Sequence, residues 1–189
     1  MIYDVCIWAA LSVINLAMTL VGIGLAPVLP LFAVRGYLPW WLSYFGTPDN
    51  SLDGDEGYQK EHAPFKGIQT GFKRYVNRIL WLLRNPIYGF GYSVLGARIE
   101  HPPLVISGDP LVSDSKNLRL NRQHGLSGHV TLRCGRYWEF YLIHQYGNNR
   151  CLRIRMGWKL SGYVNEPTTF KLGTKAQHVL SVKIAGKFD

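Results

Sequence analysis

From Val5 to Val34 the chain carries no charged side chain, and the run is flanked by Asp4 and Arg35. A bilayer core needs only about 20 apolar helical residues, so the run is long enough to cross one. Pro27 and Pro30 lack backbone N–H donors, which predicts that the helix breaks near Ala26. The pattern thus predicts a span over Val5–Ala26 and a bent exit through Leu31 and Phe32. Pro39-Trp40-Trp41 with Tyr44 and Phe45 then supplies rings of the kind that settle at headgroup level. A buried helix of a soluble core is the competing reading of the same run. A cleaved signal peptide fits less well, because Met-Ile-Tyr-Asp offers no basic leader and no small-x-small site follows. Arg35, Lys60, Lys66, Lys73 and Arg74 all follow the run, and this asymmetry places the carboxy-terminal bulk in the cytoplasm.

Within the run, Ser12, Asn15, Thr19, Gly22 and Ala26 recur at steps of three and four, along one helical stripe. Small and polar residues so aligned form a membrane-helix packing seam, for a second copy or a partner transmembrane helix. Chance spacing in a helix of this length is the plain alternative.

A second helical period runs from Ile68 to Leu83. Its apolar positions are Ile68, Phe72, Tyr75, Val76, Ile79, Leu80, Leu82 and Leu83, with Trp81 as the exception. Lys73, Arg74, Asn77, Arg78 and Arg84 fall on the other side. Following a membrane anchor, this reads as a basic amphipathic helix lying in the interface, or as a helix packing its apolar face on the next domain. Asn85-Pro86 ends it. Before it, Asp49-Asn50-Ser51-Leu52-Asp53-Gly54-Asp55 imitates the start of an EF-hand loop. The position that needs a bidentate Glu is Lys60, so an acidic turn is expected, with Gly54 at positive φ.

After His101-Pro102-Pro103 the period becomes two. Val130, Leu132 and Cys134 alternate with His129, Thr131 and Arg133. Trp138, Phe140, Leu142 and His144 alternate with Tyr137, Glu139, Tyr141, Ile143 and Gln145. Leu152, Ile154, Met156 and Trp158 alternate with Cys151, Arg153, Arg155 and Lys159. Leu180, Val182 and Ile184 alternate with Val179, Ser181 and Lys183. Taking the first-named set in each strand as the buried face predicts an antiparallel meander, turned at Gly135-Arg136 and Gly147-Asn148-Asn149. The fold class is α+β: a transmembrane helix and an amphipathic helix, followed by a mainly antiparallel sheet domain, a small sandwich or open barrel. The expected division is 1–45 anchor and aromatic segment, 46–100 acidic turn and basic helix, 101–189 β domain.

Charge sharpens this picture. The chain has 189 residues and a net charge of +9; residues 1–100 hold 8 basic and 7 acidic side chains, and 101–189 hold 13 and 5. The excess therefore sits in the β domain. On the expected exposed face lie Arg133, Arg153, Arg155, Lys159 and Lys183, with Arg119, Arg122, Arg136 and Arg150 from loops. With Lys73, Arg74 and Arg78 of the helix they form the candidate anion- or lipid-facing set. Nucleic acid is the rival partner, although the larger aromatics are expected on the buried side and no recognition motif is present.

Catalytic motifs are lacking. Six histidines are scattered without a His-x-x-x-His pair, the three cysteines form no Cys-x-x-Cys, and no phosphate-binding glycine loop or Gly-x-Ser-x-Gly occurs. No cofactor, metal or enzymatic activity is expected. A hydrolase would need an acid–base pair among His124, His129, His144, Asp109 and Glu139.

The blocks Pro39-Trp40-Trp41-Leu42, Thr47 to Asp55, Arg84-Asn85-Pro86, Tyr137 to Tyr141 and Cys151 to Lys159 occur in this order. Together they resemble a family of small uncharacterised proteins encoded by tailed bacteriophages and prophages. The resemblance implies expression in an infected bacterium and carries no activity with it. Combined with the apolar run, it gives the expectation of a host inner-membrane protein with a cytoplasmic β domain. Its expected role is non-enzymatic, in envelope, superinfection or lysis modulation, with a membrane-tethered nucleic-acid-binding protein as the alternative.

Overall fold

A computed structural model describes residues 2–113, 127–146 and 150–185. The predicted turn at Gly147-Asn148-Asn149, and Arg119, Arg122 and His124, lie outside the described residues. The chain divides into two compact units, a β unit of Met1–Ser12 with Gly96–Asp189 and a helical unit of Val13–Leu95. Helix α1, Ile2–Leu25, contributes its first turns to one and its remainder to the other.

In the β unit, β2 (Leu104–Gly108), β3 (Gly128–Cys134), β4 (Tyr137–Tyr146), β5 (Arg150–Trp158) and β7 (His178–Ala185) form one open antiparallel sheet in the order β2-β3-β4-β5-β7. Two short strands, β1 (Ala97–Arg98) and β6 (Lys175–Ala176), pair separately. The α+β class and the antiparallel order follow the sequence pattern, and Gly135-Arg136 turns β3 into β4.

Which residues share a face differs from expectation. Val130 pairs with Tyr141, Leu132 with Glu139 and Cys134 with Tyr137. Tyr141 then pairs with Arg155 and Ile143 with Arg153, and these continue to Ser181 and Lys183. The buried face therefore carries Val130, Leu132, Glu139, Tyr141 and Ile143, and Arg153 and Arg155 belong to it. Arg133 pairs with Trp138 and sits on the opposite face, with Phe140, Leu142, Ile154 and Val182. Apolar side chains occupy both faces, so the alternation within each strand holds, while three strands, β4, β5 and β7, turn the set expected inside to the face opposite Val130 and Leu132.

The start of α1 docks in this unit. Trp8 is buried, donates from Nε1 to the Val179 carbonyl at 3.2 Å, and meets Trp138 edge-on at 5.3 Å. His178, 1% exposed, lies between Trp8 and Trp158, with Nε2 3.4 Å from both the Ser12 hydroxyl and the Trp8 carbonyl. Burial pushes its pKa down, against the hydrogen bond to Trp8, so the imidazole is neutral at pH 7. Asp4 faces Arg136 at 3.9 Å.

In the helical unit, α1 ends at Leu25, where Pro27 withholds its donor, and a 3-10 turn at Leu29–Phe32 follows. A second 3-10 helix spans Trp40–Phe45, a π turn Tyr58–His62, then come α2 (Gly71–Arg84) and α3 (Tyr88–Ser93). The core gathers Ala26, Leu29, Leu52, Tyr58, Ala63, Trp81 and Leu82. Gly54 takes φ +81°, as the acidic turn required, and a Cβ there would fall 2.4 Å from the Tyr58 ring.

Helix α2 turns its polar side inward. Arg74 Nε and Nη2 donate to Asp53 at 2.8 and 2.5 Å, and Arg78 Nε and Nη2 donate to the same carboxylate at 2.7 and 3.1 Å. Asn77 Nδ2 donates to the Phe65 carbonyl at 2.7 Å, the Tyr58 hydroxyl donates to the Asn77 carbonyl at 2.6 Å, and Trp81 packs on Tyr58. Phe72 is left 77% exposed, and Leu80 and Leu83 are exposed beside it. Arg74 and Arg78 are thus corrected from the anion-facing set: their guanidinium groups close on Asp53, and Lys73 stays outside.

Burial alone would raise the Asp53 pKa. The hydrogen bonds from Arg74 and Arg78, reinforced by their charge, outweigh it and hold the carboxyl far below its ordinary 3.8. A folded-state pKa depressed in this way stabilises the unit above pH 3.8, and the stabilisation is lost as pH falls below that value. Asp53→Asn should cost about 2 kcal/mol, read as lost hydrogen-exchange protection of the α2 amides relative to intrinsic rates. Wild-type protection should decline below pH 3.8 while the variant's lacks that dependence; equal protection in the two proteins at pH 7 contradicts the assignment.

Candidate functional site

A polar cleft of about 200 Å³ opens on the β unit, lined by Tyr141, Arg153, Arg155, Lys159, Gln177, Val179, Ser181 and Lys183. Sheet register assembles it: Tyr141, Arg155 and Ser181 form one row across β4, β5 and β7, and Arg153 and Lys183 form the next. Lys159 and Gln177 close one end, where the Lys159 N–H donates to the Gln177 carbonyl at 2.9 Å. None of the lining residues is acidic.

Next to Tyr141 on the same sheet face lies Glu139, fully buried. Its Oε1 accepts from Arg155 Nε at 2.5 Å, and its Oε2 accepts the N–H groups of Leu160 and Ser161 at 2.6 and 2.5 Å. These two amides open the short helix α4, Ser161–Asn165. Ser161 Oγ also bonds Arg155 and lies 3.3 Å from Glu139 Oε1. Charge and orphan amides are thereby satisfied together, as a buried carboxylate requires. The Arg155 guanidinium is held 5.0 Å over the Tyr141 ring, and Arg153 hydrogen-bonds the Tyr141 hydroxyl. Burial raises the Tyr141 pKa, against the lowering by the two arginines, so the phenol keeps its proton at neutral pH.

The structure thus brings Arg153, Arg155 and Lys159 together, with Lys183, in a recess rather than on an open face. Arg133 does not join them; its Nε donates to the Gly135 carbonyl at 2.8 Å. Lys73 is exposed on α2, its ammonium 5.6 Å from the Phe65 ring centre. Sequence reasoning missed the part played by Glu139, expected at the surface. A lone Glu in a strand opposite an Arg-x-Arg strand was the available signal.

The α1 stripe is largely covered from within the chain. Ser12 is buried beside His178 in the β unit. In the helical unit Ala26 is fully buried, a Cβ on Gly22 would fall 2.6 Å from Ile87 Cγ2, and Thr19 donates back to the Asn15 carbonyl at 2.8 Å. Asn15 Oδ1 is buried without a hydrogen-bond partner. Open to contact are instead Val13, Ile14, Leu16, Leu20, Val21, Ile23 and Leu25.

Elsewhere, Asp53 has both oxygens engaged by arginine, and Asp55 Oδ1 accepts the Tyr58 N–H at 2.7 Å. Asp109 accepts the Leu111 N–H at 2.9 Å. The Cys134 thiol lies 3.6 Å from His101 Nδ1, a pair absent from the sequence reading; burial raises its pKa, against the bond to the His101 backbone, so the pair holds a thiol rather than a thiolate. Among the described residues no group of three His, Cys, Asp or Glu side chains comes together.

An apolar amino-terminal helix and an antiparallel sheet with a cation-lined cleft define an α+β protein with, among the described residues, one helix long and apolar enough to cross a membrane. The chain belongs to the Family of unknown function (DUF7338), whose family model matches residues 1–187. No curated protein and no solved structure matches it.

Removing the Glu139 carboxylate leaves Arg155 and two α4 amides without their acceptor. Glu139→Ala should lower the stability of the β unit by about 3–5 kcal/mol, measured by denaturant unfolding. A loss below about 1 kcal/mol, the range of exposed pairs, contradicts this account of the carboxylate.

Proposed function

We propose that this is a phage-encoded protein seated in the host inner membrane through its helical unit, with the β unit on the cytoplasmic side. In this reading it has a non-enzymatic interaction role there, in envelope, superinfection or lysis modulation. The observation that carries the membrane seating is the distribution of side chains in the helical unit. Its Asp53–Arg74–Arg78 cluster and Asn77 face inward. Outward face the free positions of α1, then Val28, Leu31, Phe32, Trp40, Trp41, Ile68 and Phe72. Exposed apolar surface on this scale marks a contact with lipid or partner, and paired charges turned away from it suit lipid.

The docking of Trp8 and Ser12 supports insertion from one side rather than a full crossing. With those residues held by β7, the free helix Val13–Leu25 is about 20 Å long at 1.5 Å per residue, against a hydrocarbon core of about 30 Å. Lys73 and Arg84 flank the apolar stripe of α2, where their heads reach phosphates while their stems lie along the surface. Cytoplasmic placement rests on the Lys and Arg that follow the apolar run, and phage origin on the sequence blocks described above. A nucleic-acid role draws less support, because the cleft cations surround a buried Tyr141 and present no exposed ring for base stacking.

Fractionation of the full-length protein tests the seating: it should stay with membranes through high-salt and carbonate washes. Cys6 is exposed while Cys134 and Cys151 are buried, so it serves as a native probe of sidedness. An impermeant maleimide should label Cys6 only after spheroplasts are permeabilised. Release by carbonate overturns the seating; labelling from outside overturns one-sided insertion.

A further inference from the structure

We propose that the cleft between β5 and β7 is a binding site for a phosphate group, carried on a small soluble phosphoester or on a lipid headgroup. The inference stands on the β unit alone and does not depend on the membrane reading.

Convergence is the first observation. The register fixes Arg153, Arg155 and Lys183 in neighbouring rows, Lys159 closes the end, and the lining holds no carboxylate. A recess lined by four cationic side chains and no acidic one presents several donors to an anion at once. Preorganisation is the second. Arg155 is fixed by Glu139, Ser161 and the Tyr141 ring, so little side-chain freedom remains to be lost on binding. The third is the character of the remaining lining, in which the Ser181 hydroxyl, the Gln177 amide and the Tyr141 phenol add neutral hydrogen-bonding groups.

The chemistry of the ligand follows. A carboxylate presents two oxygens and one charge, which a single arginine fork saturates. A phosphate monoester presents three peripheral oxygens and nearly two charges, matching several cations that approach from different directions. The cleft volume, about 200 Å³, suits a phosphate with a small ester arm.

The test uses the full-length chain in neutral-detergent micelles. Inorganic phosphate, glycerol phosphate, dihexanoyl phosphatidic acid and a DNA oligonucleotide are titrated calorimetrically, beside the Lys183→Gln and Arg153→Gln variants. Lys183 is exposed, so its substitution leaves the packed sheet intact, which an unchanged melting temperature verifies. Each variant should weaken phosphate binding by about tenfold or more. Binding of the two soluble probes identifies a free phosphoester as the source; binding of phosphatidic acid alone identifies a lipid headgroup. The proposal is overturned if no probe binds, if both variants bind like wild type, or if only an oligonucleotide binds with a steep salt dependence.

Discussion

Asp53 is a carboxylate shared between two guanidinium groups, and the organisation of the helical unit depends on that arrangement. An Asp at the end of the acidic turn can hold Arg74 and Arg78 only if α2 presents its polar side to the turn. Arg74 and Arg78 are one turn apart, so both reach the same acceptor, and Asn77 comes inward with them to the Phe65 backbone. The helix has no freedom left to bury Phe72, Leu80 or Leu83. Their exposure is therefore a consequence of the charge cluster.

The β unit solves a similar problem with the opposite outcome. Glu139 also lies inside and also binds arginine, but its second oxygen takes the first amides of α4. That arrangement fixes Arg155 in the lining of a cleft. One carboxylate engages two arginines, and the other fixes one beside the cleft. A polar recess on one unit and an apolar exterior on the other thus arise from where two acids fall in the sequence.

Much of the fold was legible beforehand. The break after α1 followed from Pro27, the turn at Gly54 from its acidic neighbours, and the strands from their alternation. The facing of the strands was not legible, because Val130 and Leu132 share a side with Tyr141 and Ile143 while Phe140 and Leu142 lie on the other. When both faces are apolar, only inter-strand register decides which residues meet, and no single strand encodes it. Helix α2 misled for a related reason. Its period correctly separated apolar from basic residues and left open whether the apolar side faced the interface or the next domain, but nothing in it showed that Arg74 and Arg78 would turn inward to Asp53. Trp81, the exception to the pattern, is a core residue and marked the true inner face. Among the site residues, Arg153, Arg155 and Lys159 were identifiable by charge, whereas Glu139 and Tyr141 depended on register.

The outward facing of α2 is the point on which this account turns, and a spin label at its exposed stripe tests it directly. Phe72→Cys is labelled with a nitroxide in a Cys6→Ser background, since the other two cysteines are buried, and the protein is reconstituted in lipid bilayers. Collisions with oxygen, which concentrates in hydrocarbon, and with a water-soluble nickel chelate are then compared. A label relaxed by oxygen and shielded from the chelate is the expected result. A label open to the chelate places Phe72 in water and contradicts the seating of the helical unit in lipid.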